Sequence, residues 1–471
     1  MKKSTLAIGV LVALGALWSG GAWYTGKIAE ENYVSYLQQI NRSATLISTE
    51  HVLGKVENVK FERGFFSSTL SYDLLLTSSK DNITYRLPMA GKVYHGPITL
   101  NNFSVAMFSA DLALQKNEQT ALWFTDDKSN PLALTLAMGY NQQVKGELDS
   151  SAKVNIIDAE QLQWTGNVQF DVDKKGFGKT VGNFPSLTIN KETEDPARPN
   201  TILLKNVKVN VERPSADLFN GQYQVSIADF ALNSIDKKGQ DYRLQLDDVS
   251  LSLNLKQEQN WVNSDFVYQM ADVKENNRSM AGLQWNMKLN HLDADALRLF
   301  LQEADKLNQQ KNLSAEGINA LEKLLNNQPH LQLSPLELTN SKGKATLNLD
   351  VGVVQNVLNA GQQGKILDLF NALKGDLNLD KAFLKELIAT SLMASDNRIN
   401  QADAEQNAQN ILDKNLKSLV NQGLFKETED KYTLTFNRDN GKLNVSGKDY
   451  SEQDIQAWIF VLAMMIYAGG L

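Results

Sequence analysis

The chain has 471 residues, of which 42% are hydrophobic and 21% charged, with 54 acidic against 47 basic side chains, a net charge of −7 and no cysteine. The acidic balance excludes a nucleic-acid partner, because no basic stripe exists to displace counterions from phosphates. The absence of cysteine excludes disulfides, thiolate metal sites, a cysteine nucleophile and a lipid-modified terminal cysteine.

In chain order, Lys2 and Lys3 come first, followed by an apolar run over residues 6–23 with no charged side chain between Ser4 and Gly26. At ~1.5 Å per residue such a run spans about 27 Å as a helix, close to the hydrocarbon thickness of a bilayer. Two readings compete. A cleaved signal peptide would use Gly20 and Ala22 as the small residues before the cut. An uncleaved anchor fits the length of the run and the bulk of Trp18 and Trp23, and Trp23 and Tyr24 resemble an interfacial aromatic belt. The anchor is the reading carried forward, over residues 1–26. With lysines only on the short side, it leaves the N-terminus in the cytoplasm and the body across the membrane. Small residues four apart, Gly9 with Ala13 and Ala16 with Gly20, suit close packing of two such helices.

Residues 27–50 carry Ile28, Tyr33, Leu37, Ile40, Ala44 and Ile47 at three- and four-residue spacings, which predicts a connecting amphipathic helix. Over 51–290 the period becomes two. Residues 203–211, 223–230 and 249–255 alternate apolar and polar side chains, the pattern of antiparallel strands with one wet face. Polar turns such as 236–239 separate them, so a long meander is expected. Over 291–471 the pattern is mixed. Asp293 and Asp295 precede an apolar helical face at Leu297 and Phe300, a helix start. Further helices are expected over 312–328, 365–372, 381–394 and 402–422, with strands at 332–338 and 345–351. A hairpin closes through Asp439-Asn440-Gly441, a tight-turn signal. The tail from Ile455 to Leu471 is apolar, and reads as a buried closing element or as a lipid-facing patch.

A search for chemistry yields little. The segment Gly176-Phe177-Gly178-Lys179-Thr180 ends like a phosphate loop, but Asp173 stands where the first glycine is required, so a solvated turn is expected. His51, His95, His291 and His330 form no pair at metal-ligand spacing, and no Gly-x-Ser-x-Gly occurs. No catalytic residue, cofactor or metal ligand is assigned. Two segments stand out. In Phe61-Glu62-Arg63-Gly64-Phe65-Phe66-Ser67-Ser68, Gly64 permits a kink while Phe61, Phe65 and Phe66 are expected in the core; the other reading places these aromatics along an apolar groove. In His95-Gly96-Pro97, the proline starts a strand or turn and the histidine is expected to bond to backbone.

These two segments, the Lys-Lys start, Gly20-Gly21-Ala22-Trp23-Tyr24-Thr25-Gly26 and the closing hairpin, from Gly423-Leu424 to Tyr432-Thr433-Leu434 and then Gly441 to Lys448, together resemble the YdgA/YihF family, its YihF-like branch in length. The resemblance covers the whole chain and implies a bacterial inner-membrane protein with a periplasmic body on one helix, with self-association as an open question. It supplies no catalytic residues.

The expected fold class is therefore α+β: a single N-terminal transmembrane helix, then a large, mostly antiparallel β-rich body with a helical insertion region in its C-terminal half. The leading function is a non-catalytic cell-envelope protein whose body binds a lipid or protein partner. An envelope hydrolase acting on glycan or peptidoglycan and a purely structural scaffolding homodimer are the alternatives. Whether later helices cover the apolar strand faces decides how open a lipid groove is.

Overall fold

A computed structural model describes residues 22, 24–27, 52–78, 84–124, 130–156, 160–191, 200–215, 217, 219–235, 239–310, 314–357, 365–395, 398–439 and 441–455. The expected span at 6–23, apart from Ala22, the connecting helix beyond Lys27, and the apolar tail beyond Ile455 lie outside them. Among the described residues no helix is long and apolar enough to cross a membrane. The body is a large antiparallel β structure with a few helices, divided into two compact units, Met1–Ser215 and Ala216–Leu471.

The first unit is the expected meander. Its strands are β1 (Val52–Arg63), β2 (Ser67–Ser78), β3 (Thr84–His95), β4 (Phe108–Leu114), β5 (Leu132–Met138), β6 (Val144–Ile156), β7 (Glu160–Val172), β8 (Gly178–Lys191) and β9 (Asn200–Arg213). Each pairs antiparallel with the next. Directly opposed residues share a face, so Leu70, Gly91, Leu112, Leu134 and Leu148 form one transverse row. Leu87, Met89, Val93, Leu112 and Leu114 on that face are buried. A single 3-10 turn, Ala121–Trp123, brings Trp123 edge-on to Trp164, with ring centroids 6.1 Å apart, and closes this core.

The second unit holds β10 (Gly221–Ile235), β11 (Asp241–Glu258), β12 (Trp261–Glu275), β13 (Arg278–Asp293), helices α1 (Ala294–Gln310) and α2 (Ala315–Asn326), β14 (His330–Asn340), β15 (Gly343–Val353) and β16 (Phe370–Asp380). Helices α3 (Lys381–Ser395) and α4 (Gln401–Asn421) follow, then β17 (Lys426–Glu427), β18 (Lys431–Asp439), β19 (Lys442–Val445) and β20 (Lys448–Tyr450). Strands β10 to β16 pair in sequence and β16 then pairs with β18. Asp293 caps α1 as expected: its Oδ1 accepts from the Ala296 N–H at 2.9 Å. Its carboxyl is buried, which by itself raises the pKa, but the Ala296 amide and Lys323 Nζ at 2.9 Å outweigh burial and hold it below the ordinary range. Helix α3 packs on β13, β14, β15 and β16.

The helix expected over 365–372 is corrected. Only a 3-10 turn, Leu367–Leu369, forms there, and β16 starts at Phe370. Leu373, Gly375, Leu377 and Leu379 alternate with Lys374, Asp376 and Asn378, so period two serves a strand held between β15 and β18. The closing hairpin forms as expected, with Gly441 in the left-handed region at φ +72.

Candidate functional site

The residues singled out in the sequence converge at one end of the first sheet. β1 ends at Arg63 and β2 starts at Ser67, so Gly64, Phe65 and Phe66 make the connecting turn, and β3 ends at His95 on the same side. The β2–β3 register sets Ser68 against Val93 and Ser67 against Tyr94. This brings Ser68 to His95, Oγ to Nε2 at 2.8 Å. His95 also lies with Nδ1 3.0 Å from the Phe65 carbonyl oxygen, which can only accept, so Nδ1 carries the proton and Nε2 accepts from the Ser68 hydroxyl. The His95 backbone N–H donates to the Phe66 carbonyl at 2.9 Å. Burial lowers the His95 pKa below its ordinary value and the nearby Arg63 charge adds to this, with the Phe65 carbonyl opposing, so the ring stays neutral.

A serine hydroxyl on a neutral imidazole resembles half of a catalytic triad, but the third partner here is a carbonyl rather than a carboxylate. Ser68 and His95 are 2% and 1% exposed, leaving no room for a substrate. What covers them is the stretch that follows the apolar run. Thr25 is buried and its Oγ1 donates to the Ala22 carbonyl at 3.2 Å and the Gly96 carbonyl at 3.4 Å. Gly26 lies against the imidazole so closely that a Cβ there would sit 2.4 Å from His95 Cε1. At Gly96 a Cβ would sit 1.9 Å from the Ala106 carbonyl oxygen, so only glycine permits the close approach of these two backbone segments. The Ser68–His95 pair with Thr25 and Gly26 is a clasp joining residues 24–27 to the sheet.

The remaining named residues divide. Phe61 packs against the core as expected. Glu62 is exposed and Arg63 half-buried. Phe65 is corrected: it is 52% exposed, its ring meeting Phe66 edge-on at 4.7 Å, because it sits on a turn beyond the last core row. Pro97 follows the clasp and opens the hairpin between β3 and β4. Sequence reading missed Thr25 and Gly26 as site residues. The register of β2 and β3 was the available signal for the Ser68–His95 pair.

Elsewhere among the described residues, several polar clusters satisfy one another. Asp173 accepts from the Lys175 and Phe177 backbone N–H groups in the β7–β8 turn, as a solvated turn should. His330 lies 2.5 Å from Asp350, whose other oxygen meets Lys374 at 3.3 Å; burial pushes the Asp350 carboxyl up, and these two partners outweigh it. Among the described residues no cluster of three or more His, Asp or Glu is placed to hold a metal. The first sheet carries a polar depression of about 660 Å³ lined by Asp111, Glu147, Asp171, Lys145 and Lys179. Its carboxylates are already engaged: Asp171 with Lys145 at 2.9 Å, Asp111 with Asn101 Nδ2 at 3.0 Å, and Glu147 with Asn167.

The second sheet offers a different surface. Val225, Leu251, Tyr268, Trp285, Leu336, Leu347, Leu377 and Leu434 oppose one another in register from β10 to β18. They therefore form one apolar row on one face, and none of them is buried. Phe266 stands edge-on to Trp285, centroids 5.2 Å apart, one step along. The other face is polar: Asn348 donates to Asp376 at 3.0 Å and Lys344 pairs with Glu337 at 2.9 Å. Toward one end of the same apolar face, Met270 and Tyr432 are buried.

Several proteins are similar in sequence to this chain. An uncharacterized protein of Haemophilus influenzae is 29% identical over 64% of this chain and 85% of its own. Protein YdgA of Escherichia coli is 25% identical over 74% and 75%, and the uncharacterized protein YihF of Escherichia coli is 22% identical over 96% and 98%. A family model described as a bacterial protein of unknown function, DUF945, matches residues 1–453. The chain belongs to this DUF945 family, of which YdgA and YihF are relatives.

Proposed function

We propose that this protein is a non-catalytic bacterial envelope protein, held in the inner membrane by residues 6–23 with its N-terminus in the cytoplasm, whose periplasmic body binds lipid acyl chains along the apolar row of the second sheet. The observation that carries this reading is the row from Val225 to Leu434, eight side chains across eight strands with none of them buried. A contiguous apolar stripe left partly in water on a soluble body marks a surface made for an apolar partner. An extended acyl chain laid across it gains about 0.8 kcal/mol for each methylene buried. The helices bear on the same reading: among the described residues α3 packs on β13 to β16, and Val225 and Leu251 on β10 and β11 lie beyond it.

The test places a benzophenone amino acid at Leu251, Tyr268 or, on the polar face, Asn286 of the full-length chain in bacterial membranes. Irradiation is expected to give phospholipid adducts at Leu251 and Tyr268 and none at Asn286. Protein adducts alone, or equal lipid adducts on both faces, would remove the lipid reading.

A further inference from the structure

The hairpin over 97–106, between β3 and β4, has its polarity reversed. Ile98 and Val105 face each other across a bridge, and the Thr99 and Ala106 N–H groups donate to the Ser104 and Pro97 carbonyls at 2.9 and 3.2 Å. Alternation places Leu100 on the face of Ile98. These side chains point outward: Leu100 is 40%, Val105 75% and Phe103, at the tip, 77% exposed. The inward side is polar. Thr99 is wholly buried, its Oγ1 2.8 Å from Asn102 Oδ1 and 3.0 Å from Ser104 Oγ. Asn101 accepts from the Ser109 hydroxyl at 2.5 Å and donates to Asp111 at 3.0 Å. Phe103 is held at φ +51, a left-handed backbone that a bulky residue rarely takes. A hairpin serving water would turn the other way.

Its position names the partner. The clasp ties Thr25 to the Gly96 carbonyl at the hairpin's base, so the residues that follow the apolar run in the sequence meet the sheet at this spot. Phe65 and Tyr140, each 52% exposed, project from turns at the same end of the sheet, and Tyr24, 61% exposed, directly precedes the clasped Thr25. Aromatic side chains collected at the exit of a membrane span belong at the headgroup level.

We infer that the hairpin 97–106 is a second membrane contact, its tip entering the headgroup–acyl boundary of the bilayer next to the anchor, so that the first sheet is held end-on to the membrane. This rests on reading residues 6–23 as the span.

Because the chain has no cysteine, Phe103→Cys and Leu122→Cys each give one site for an environment-sensitive fluorophore. Leu122, 73% exposed, lies at the opposite end of the same sheet and serves as control. The full chain is reconstituted in vesicles of phosphatidylethanolamine and phosphatidylglycerol carrying lipids with a quencher on the acyl chain. The fluorophore at 103 is expected to be blue-shifted and largely quenched, and that at 122 to be neither. A chain that stays in the vesicles through alkaline carbonate while position 103 remains unquenched overturns the hairpin contact and leaves the anchor standing. Removal by carbonate overturns both. A shift at 103 that follows protein density, without quenching, overturns the lipid contact in favour of a second copy of the chain.

Discussion

Leu112 and Leu251 each belong to a transverse apolar row on an antiparallel sheet, yet their surroundings differ. Leu112 is 5% exposed within a core closed by Trp123, whereas Leu251 sits half-buried on a strand against which none of the described helices makes substantial packing. One alternating pattern thus serves two purposes, and the difference is made by what folds back over the row. In the first unit a three-residue turn delivers a tryptophan to the sheet; in the second, α3 reaches β13 to β16. Where the row is left partly exposed among the described residues, leucines like those that elsewhere hold the fold are the ones the proposed function gives to a ligand.

Truncation breaks the comparison most sharply. Leu112→Ala should destabilise the chain by about 3 kcal/mol, because the cavity is enclosed on all sides. Leu251→Ala should cost about 1 kcal/mol, since part of the side chain already meets water. Denaturant unfolding of the detergent-solubilised protein reads both, and equal losses would mean that the second row is a closed core as well.

A smaller effect probes the clasp. The folded pKa of His95 lies below the ordinary value of 6.5, so the unfolded chain binds more protons below that pH. The clasp's contribution is therefore fully present above about 6.5 and declines as the pH falls from there toward the lower folded value, levelling off beneath it. A protonated ring would also have to donate from Nε2, which ends its acceptance from Ser68. Melting temperature against pH should fall less steeply through this window for His95→Gln than for the natural chain. Identical slopes would show that the imidazole stays neutral for no energetic reason connected with folding.

The sequence made most strands legible, because a sheet with one wet face writes its period of two directly into the chain: residues 203–211, 223–230 and 249–255 fall within β9, β10 and β11. Local chemistry was equally readable at Asp293, whose cap is made within three residues, and at the Asp439–Lys442 turn. Contacts made across long separations were not. Ser68 and His95 are 27 residues apart and meet only through the β2–β3 register, while Thr25 and Gly96 are 71 apart and no local pattern encodes their meeting. The same limit hid the exposure of Phe65, since an aromatic on a turn and one on a strand look alike in sequence. It also hid which apolar rows are covered, because that depends on where a helix or a tryptophan returns in space.

The most direct test of the central claim is the phospholipid retained by the purified full-length chain, counted by native mass spectrometry for the natural sequence and for Leu251→Glu. A carboxylate in the apolar row is expected to abolish retained lipid while leaving the unfolding transition nearly in place. Retention unchanged by that substitution, or a natural chain that carries no lipid at all, would contradict an acyl-binding row.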